Sequence, residues 1–312
     1  MNKLLLTIRK ATAHHLRLIG VAIGLGVLLS TGLSAVTGTA AVLPAPRASS
    51  PQSHGYWLVG SDGGVFSFGS AQFYGSPASH RLQRPIVGIA ATIDNGGYWL
   101  TASDGGVFAY GDTGFYGSVP GLGIHPFGSG LPDSLNAPIV GMVASNDDGG
   151  YLVVASDGGV FAFGDARFEG SCFSVGGCSG AVVAIVSDTT GNGYWLMTQT
   201  GHVYAFGDAP YLGAPGPQDV PVTSATSAPV GAPGSYYMLF SNGSVYGNAG
   251  VCCAADYPSG ASPATAIFTE SNGGFFWVAT ADGSVVAMAN APYDGSMAGT
   301  NLNGLIVAGA GF

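Results

Sequence analysis

Four aspartates are the residues whose type and spacing first point to chemistry in this chain of 312 residues. They occupy equivalent places in a repeated turn-like motif: Asp62, Asp104, Asp157 and Asp282. Carboxylates gathered on one surface could bind a cation or a sugar. Asp before Gly is also turn chemistry, and Asn242 takes the place of the acid in one copy. We therefore predict a structural role for these aspartates, and we expect Asp112, Asp165 and Asp208 to cap their own turns.

Other candidate groups form no catalytic constellation. The six histidines fall at unrelated positions, and the sequence has no Gly-x-Ser-x-Gly elbow, His-Glu-x-x-His pair or phosphate-binding loop. Four repeated tryptophans could stack on sugars if they were exposed, but they lie in the most apolar segments: Trp57, Trp99, Trp195 and Trp277. We predict core positions for them. The sequence predicts no enzyme activity, catalytic residue, cofactor or metal site.

The four cysteines predict disulfide chemistry. Cys172 and Cys178 bracket a short Gly-rich loop, and we expect them to form a local disulfide in an exported protein. Cys252 and Cys253 are adjacent. They could form a strained vicinal disulfide, which we favour, pair between chains, or stay reduced. A zinc site formed by all four is disfavoured by their spacing.

These residues lie on a repeated unit. Residues 97–118, GYWLTASDGGVFAYGDTGFYGS, have five further copies, and the spacings between the starts are 42, 53, 43, 42 and 39 residues. The six copies begin at Gly55, Gly97, Gly150, Gly193, Ser235 and Gly274. A unit of this length holds about four short strands and cannot bury its own apolar faces. The six units must therefore pack on one another.

Each unit predicts four β-strands. Residues 98–100 are continuously apolar, residues 108–110 alternate large and small, and residues 115–117 begin an outer strand before a linking loop. A further strand, such as residues 138–143, follows each loop. The last of these, residues 304–311, has no unit after it, whereas the first unit has no such strand before it.

That offset predicts how the two ends of the repeat domain meet. We predict an all-β, six-bladed β-propeller of four-stranded blades, in which the C-terminal strand pairs with the N-terminal blade and closes the ring. A solenoid of hairpins shares the period, but it needs polar end caps rather than this offset.

The repeats resemble those of secreted actinobacterial proteins that carry β-propeller-like GYWLVASDGGVFSFGDAxFYGS units. The resemblance covers residues 55–312, and the fifth and sixth copies depart from it most. It implies an extracellular or cell-envelope setting, and no activity is carried over with it.

The N-terminus agrees with export. Residues 1–45 combine a basic start, an apolar run and small residues, which predicts a signal peptide, with an uncleaved membrane anchor as the alternative. We expect residues 46–54 to form a linker and residues 55–312 to form the repeat domain.

The charge of the chain bears on its partners. It has 17 acidic and 8 basic residues and a net charge of -9, which argues against nucleic acid as a partner. Its oligomeric state is left open.

The longest linking loop predicts a recognition surface. Residues 119–137 make the second unit the longest, and we expect His125, Phe127 and Asp133 to overhang the face that carries the Asp-Gly turns. The predicted function is a secreted or cell-surface binding or adhesion module whose partner is a glycan, another envelope ligand or a protein. The alternatives are a hydrolase or lyase with its site in the central opening, and a purely structural surface protein.

Overall fold

The computed structural model describes residues 54–216, 219–227, 235–247, 250–254, 262–270 and 275–312, with residues 250–254 as backbone alone. The predicted export segment, and the predicted linker except His54, lie outside these residues.

The described chain is built from β-strands with three short 3-10 turns, at Pro77–Ser79, Pro120–Leu122 and Cys172–Val175. The strands, in chain order, are β1 (Gly55–Gly60), β2 (Val65–Gly69), β3 (Ile86–Ala91), β4 (Gly97–Ala102), β5 (Val107–Gly111), β6 (Ile139–Ala144), β7 (Gly150–Ala155), β8 (Val160–Gly164), β9 (Val182–Ser187), β10 (Gly193–Thr198), β11 (Val203–Gly207), β12 (Val222–Ser227), β13 (Tyr236–Phe240), β14 (Ser244–Gly247), β15 (Gly250–Ala254), β16 (Ala264–Thr269), β17 (Phe276–Thr280), β18 (Val285–Met288) and β19 (Ile306–Gly311).

These strands form six separate antiparallel sheets, which we number as blades 1 to 6. The blades are β19-β1-β2, β3-β4-β5, β6-β7-β8, β9-β10-β11, β12-β13-β14-β15 and β16-β17-β18. The predicted all-β class is confirmed. The prediction of four strands in every blade is wrong, because in the described residues only blade 5 has a fourth strand.

The missing strand is replaced by an extended segment held by side chains. In blade 2, Trp99 Nε1 donates to the carbonyl of Gly114 at 2.7 Å, and the N–H of Tyr116 donates to the hydroxyl of Tyr151 in blade 3. These side chains form hydrogen bonds with backbone groups that would otherwise pair in a strand ladder. Blade 5 carries Tyr237 at the tryptophan position, and its outer segment pairs as β15.

The first strand of each sheet, in the order written above, is its inner strand. The inner strands β3, β6, β9, β12, β16 and β19 contact one another in this order, and β19 also contacts β3. The predicted pairing of the C-terminal strand with the N-terminal sheet is confirmed, since β19 runs antiparallel to β1 with Ala310 opposite Trp57. Strand ladders do not join one described sheet to the next. The blades meet through side chains and through single backbone hydrogen bonds, such as that from the N–H of Ile139 in blade 3 to the carbonyl of Ser103 in blade 2 at 2.9 Å.

Aromatic pairs form much of the packing between blades. Trp57 of blade 1 lies 5.5 Å, between ring centroids, from Tyr98 of blade 2, and Trp99 lies 5.8 Å from Tyr151 of blade 3. Trp277 of blade 6 lies 5.1 Å from Tyr56 of blade 1, so the same pair joins the last blade to the first. All four tryptophans are fully buried, which confirms their predicted core positions.

The aspartates of the repeated motif form the predicted turns. Each accepts a hydrogen bond through Oδ1 from the backbone N–H two residues later, at 2.9–3.0 Å, as Asn242 does in blade 5. Gly105 follows Asp104 with φ 80°, and a Cβ there would lie 2.5 Å from the side chain of Val119. The glycine is therefore required both by its backbone conformation and by the linking loop packed on it.

Candidate binding face

The two ends of the blades carry different features. We call the end with the Asp-Gly turns and the loops that link successive blades the loop face. The linking loops pack on these turns in the same way in successive blades. The backbone N–H of Val119 donates to the carbonyl of Gly105, and the backbone N–H of Cys172 donates to the carbonyl of Gly158, both at 3.1 Å. The loops of blades 2 and 3 therefore emerge on the same face from neighbouring blades.

The long loop, residues 119–137, has a defined internal structure. Val119 is fully buried and Leu135 is nearly so, which anchors both ends in the core between blades 2 and 3. Within the loop, the N–H of His125 donates to the carbonyl of Asp133 at 2.9 Å, and the N–H of Leu135 donates to the carbonyl of His125. The hydroxyls of Ser129 and Ser134 are hydrogen-bonded to each other at 2.7 Å. The loop is folded back on itself over the blade.

The three residues predicted to bind a ligand all lie in this closed loop. His125, Phe127 and Asp133 are exposed, and the hydrogen bond between His125 and Asp133 is made by their main chains. Asp133 has φ 54°, a conformation that Asp tolerates better than most residues, so the loop geometry accounts for an Asp at this position. Phe127 presents its side chain to solvent, and Arg84 of the preceding linking loop donates to the Phe127 carbonyl at 3.3 Å.

The neighbouring loop is closed by a disulfide. Cys172 and Cys178 are bonded, as predicted, with 5.1 Å between their Cα atoms. The bond fixes a short segment in which Phe173 and Val175 are exposed. The side chains of the other predicted disulfide residues, Cys252 and Cys253, lie outside the described residues.

The loop face gathers exposed apolar side chains that sequence analysis did not identify, apart from Phe127. Between 48% and 63% of each side chain is exposed in Leu122, Phe127, Leu131, Phe173 and Val175. Two arginines, Arg81 and Arg84, lie exposed in the linking loop of blade 1 on this face. The sequence feature that could have identified them is the presence of large apolar residues in Gly- and Pro-rich loops. Turn formation in such loops does not require large apolar side chains.

The opposite end of the blades is acidic, and we call it the acidic face. Its turns hold seven aspartates: Asp94, Asp112, Asp147, Asp148, Asp165, Asp188 and Asp208. The prediction that Asp165 and Asp208 cap their own turns needs correction. They accept instead from the hydroxyls of Ser145 and Thr190, at 3.2 and 3.0 Å, in the turn that follows the inner strand of the same blade.

Two adjacent acids of this face have opposite pKa shifts. The hydroxyl of Ser145 donates to Asp147 and holds the pKa of that carboxyl below its ordinary value. Burial raises the pKa of Asp148, although the N–H of Ile93 in blade 2 donates to its carboxylate at 3.0 Å. Asp148 thus links two neighbouring blades near the axis of the molecule.

A central cavity of about 560 Å³ lies among the six inner strands. Most of its lining comes from strand residues, and Asn95, Asn146, Asp148 and Asp188 lie at the end towards the acidic face. None of the described lining residues is a Lys, Arg, His or Cys. The lining includes none of the exposed apolar residues of the loop face.

Comparison with protein-family models and with curated protein sequences gives no match. Among solved structures, the chain is similar to the crystal structure of a nidogen/laminin complex, with a TM-score of 0.53 and 9% sequence identity. The similarity covers 83% of this chain and 98% of that chain. It is a similarity of fold. It agrees with a propeller-like arrangement of six sheets.

The described residues include no helix long and apolar enough to span a membrane.

Proposed function

We propose that this chain is a non-enzymatic binding module, a closed six-bladed propeller whose loop face recognises a protein partner at the cell envelope. The observation that carries the proposal is the set of exposed apolar side chains on the loops of blades 2 and 3. Large apolar side chains exposed on neighbouring loops lower solubility unless a partner covers them.

The long loop and the disulfide-closed loop are both preorganised. Val119 and Leu135 anchor one loop, and the disulfide of Cys172 closes the other, so Phe127 and Phe173 project from ordered backbone. A preorganised loop loses little conformational entropy on association. Aromatic and arginine side chains are enriched in protein interfaces, and this face offers both.

The nature of the partner follows from charge and from the fold. The acidic composition disfavours nucleic acid and anionic lipid, which attract basic surfaces. One solved structure with a similar fold is that of a complex between nidogen and laminin, and binding of a protein by this fold agrees with the proposal. The disulfide and the predicted export segment support an extracellular location, as does the resemblance to secreted actinobacterial repeat proteins.

Site-specific photo-cross-linking tests the proposal. The photoreactive residue p-benzoylphenylalanine replaces Phe127, Phe173 or Ile93 in separate variants of the full chain, which are then irradiated on cells of the source organism. Ile93 is the matched control, because it is apolar and 60% exposed but lies in a turn of the acidic face.

The proposal predicts that the two loop-face positions cross-link to the same protein and that position 93 does not. Failure of both loop-face positions to form an adduct, or the same adduct from all three positions, contradicts it.

A further inference from the structure

The lining of the central cavity is asymmetric in a way that the repeat does not require. The inner strands β3, β6 and β19 contain no Ser or Thr, whereas β12 contributes four hydroxyl side chains and β16 two. The six are Thr223, Ser224, Thr226, Ser227, Thr265 and Thr269. At the positions equivalent to Thr223 and Thr265, the other four inner strands carry valine.

The cyclic order of contacts places these hydroxyls on one side of the cavity. With six inner strands in the order β3, β6, β9, β12, β16 and β19, β12 lies across the cavity from β3, and β16 lies across from β6. The facing side chains of β3 and β6 are aliphatic: Val87, Ile89, Val140 and Met142. Along the strands, one wall of the cavity is therefore hydroxylated and the opposite wall is apolar, whereas Thr92 and Ser145, directly after β3 and β6, add hydroxyls at the end towards the acidic face.

The fold uses the hydroxylated wall only through long contacts. Thr226 and Thr269 approach each other at 3.4 Å, Thr223 donates to the Leu239 carbonyl at 3.3 Å, and Ser224 accepts from the N–H of Ile267 at 3.4 Å. Thr265 Oγ1 is buried and has no hydrogen-bond partner among the described residues. Valine at these positions satisfies the fold in four blades, and a buried hydroxyl without a partner costs stability.

We propose that the central cavity binds a neutral sugar. Its hydroxyls would hydrogen-bond to β12 and β16, with a change of the Thr265 rotamer that brings its buried Oγ1 to the cavity, and its C–H face would pack on β3 and β6. The cavity volume lies within the range of about 300–1,000 Å³ that is usual for small-molecule sites. The absence of cations from the described lining, together with Asp148 and Asp188 at one end, disfavours an acidic sugar. This site is independent of the loop face.

Titration calorimetry and saturation-transfer NMR on the full chain test the proposal, with glucose, N-acetylglucosamine and trehalose as probes and glucuronate as the charged control. Thr223→Val and Thr265→Val, combined, restore the residue found in the other inner strands and so preserve the fold. Thr300→Val is the matched control, because Thr300 lies exposed in a linking loop. Thermal unfolding checks that each variant is folded.

We expect at least one neutral sugar to bind with a Kd of about 1 mM or tighter. The double variant should bind it at least about tenfold more weakly, whereas Thr300→Val and Phe127→Ser should bind it as the parent does. The proposal is overturned if none of the neutral sugars binds, if glucuronate binds equally well, or if the double variant keeps the parent affinity. Because Phe127→Ser acts only on the loop face, loss of sugar binding in that variant also overturns it.

Discussion

The backbone N–H of Gly75 donates to the hydroxyl of Tyr98 at 3.1 Å, across the junction between blades 1 and 2. The same hydroxyl accepts from the N–H of Tyr74 and donates back to the carbonyl of Gly75. Tyr151 and Tyr194 make equivalent contacts at the next two junctions. The repeated tyrosine that follows Gly97, Gly150 and Gly193 therefore fastens each of these blades to the outer segment of the one before it.

Removing one of these hydroxyls should weaken the molecule measurably. Tyr98→Phe leaves two backbone donors and one acceptor without their partner, so we expect a loss of about 1–3 kcal/mol in the free energy of unfolding, measured by urea denaturation. Tyr211→Phe is the control, because Tyr211 is 64% exposed, and it should change stability by less than about 0.5 kcal/mol. Equal stability of Tyr98→Phe and the parent would disprove the fastening role.

The same tyrosines predict sensitivity to alkali. Burial raises the pKa of Tyr56, Tyr98, Tyr151, Tyr194 and Tyr236 above the ordinary value of about 10. The folded state then keeps protons that the unfolded chain releases, so stability is fully present below about pH 10 and is lost as the pH rises above it. Tyrosinate absorbance and circular dichroism should show these residues ionising together with unfolding. Their ionisation near pH 10 in a folded protein would contradict this account.

The last strand should contribute more to stability than its terminal position implies. Ile306 begins β19 and is fully buried between blades 6 and 1, whereas the adjacent Leu305 is 62% exposed. We expect Ile306→Ala to lower the free energy of unfolding by about 2–5 kcal/mol, and Leu305→Ala to lower it by less than about 0.5 kcal/mol, both measured by chemical denaturation. Similar effects of the two substitutions would show that β19 does not hold the first and last blades together.

The disulfide should stabilise the loop face locally. Cys172→Ala combined with Cys178→Ala removes a short covalent loop, and we expect a loss of roughly 2 kcal/mol, measured by thermal unfolding. The double variant is preferable to a reductant because the chain also contains Cys252 and Cys253. Amide hydrogen exchange should speed up in residues 172–178 and stay unchanged in residues 125–135. Uniform acceleration over both loops would indicate a wider structural role.

The sequence predicted the features that depend on local chemistry and on repetition. Asp104 and Gly105 define a turn by themselves, and Trp99 lies in an apolar run, so their roles follow from neighbouring residues. The offset between the first unit and the last segment predicted the pairing of β19 with β1. The Cys172–Cys178 bond followed from the short loop between the two residues.

The features that were missed depend on contacts between blades. Outer segments such as residues 115–117 have strand-like composition, but the hydroxyl of Tyr151 from the next blade occupies their backbone groups. The hydroxylated wall was also missed, because Thr223 and Thr265 become one surface only when β12 and β16 are neighbours across from β3 and β6. Such relationships require the order of the blades in space.

The most direct test of the proposed function is the affinity of the cross-linked partner for defined variants. Phe127→Ser combined with Phe173→Ser removes the two exposed aromatic side chains of the loop face, and Ile93→Ser removes an equally exposed apolar side chain from the acidic face. Surface plasmon resonance with the purified partner gives each Kd. We predict that the double variant binds at least about tenfold more weakly, as expected for central interface residues, and that Ile93→Ser binds as the parent does. Parent-like affinity of the double variant, or an equal loss in Ile93→Ser, would contradict recognition through the loop face.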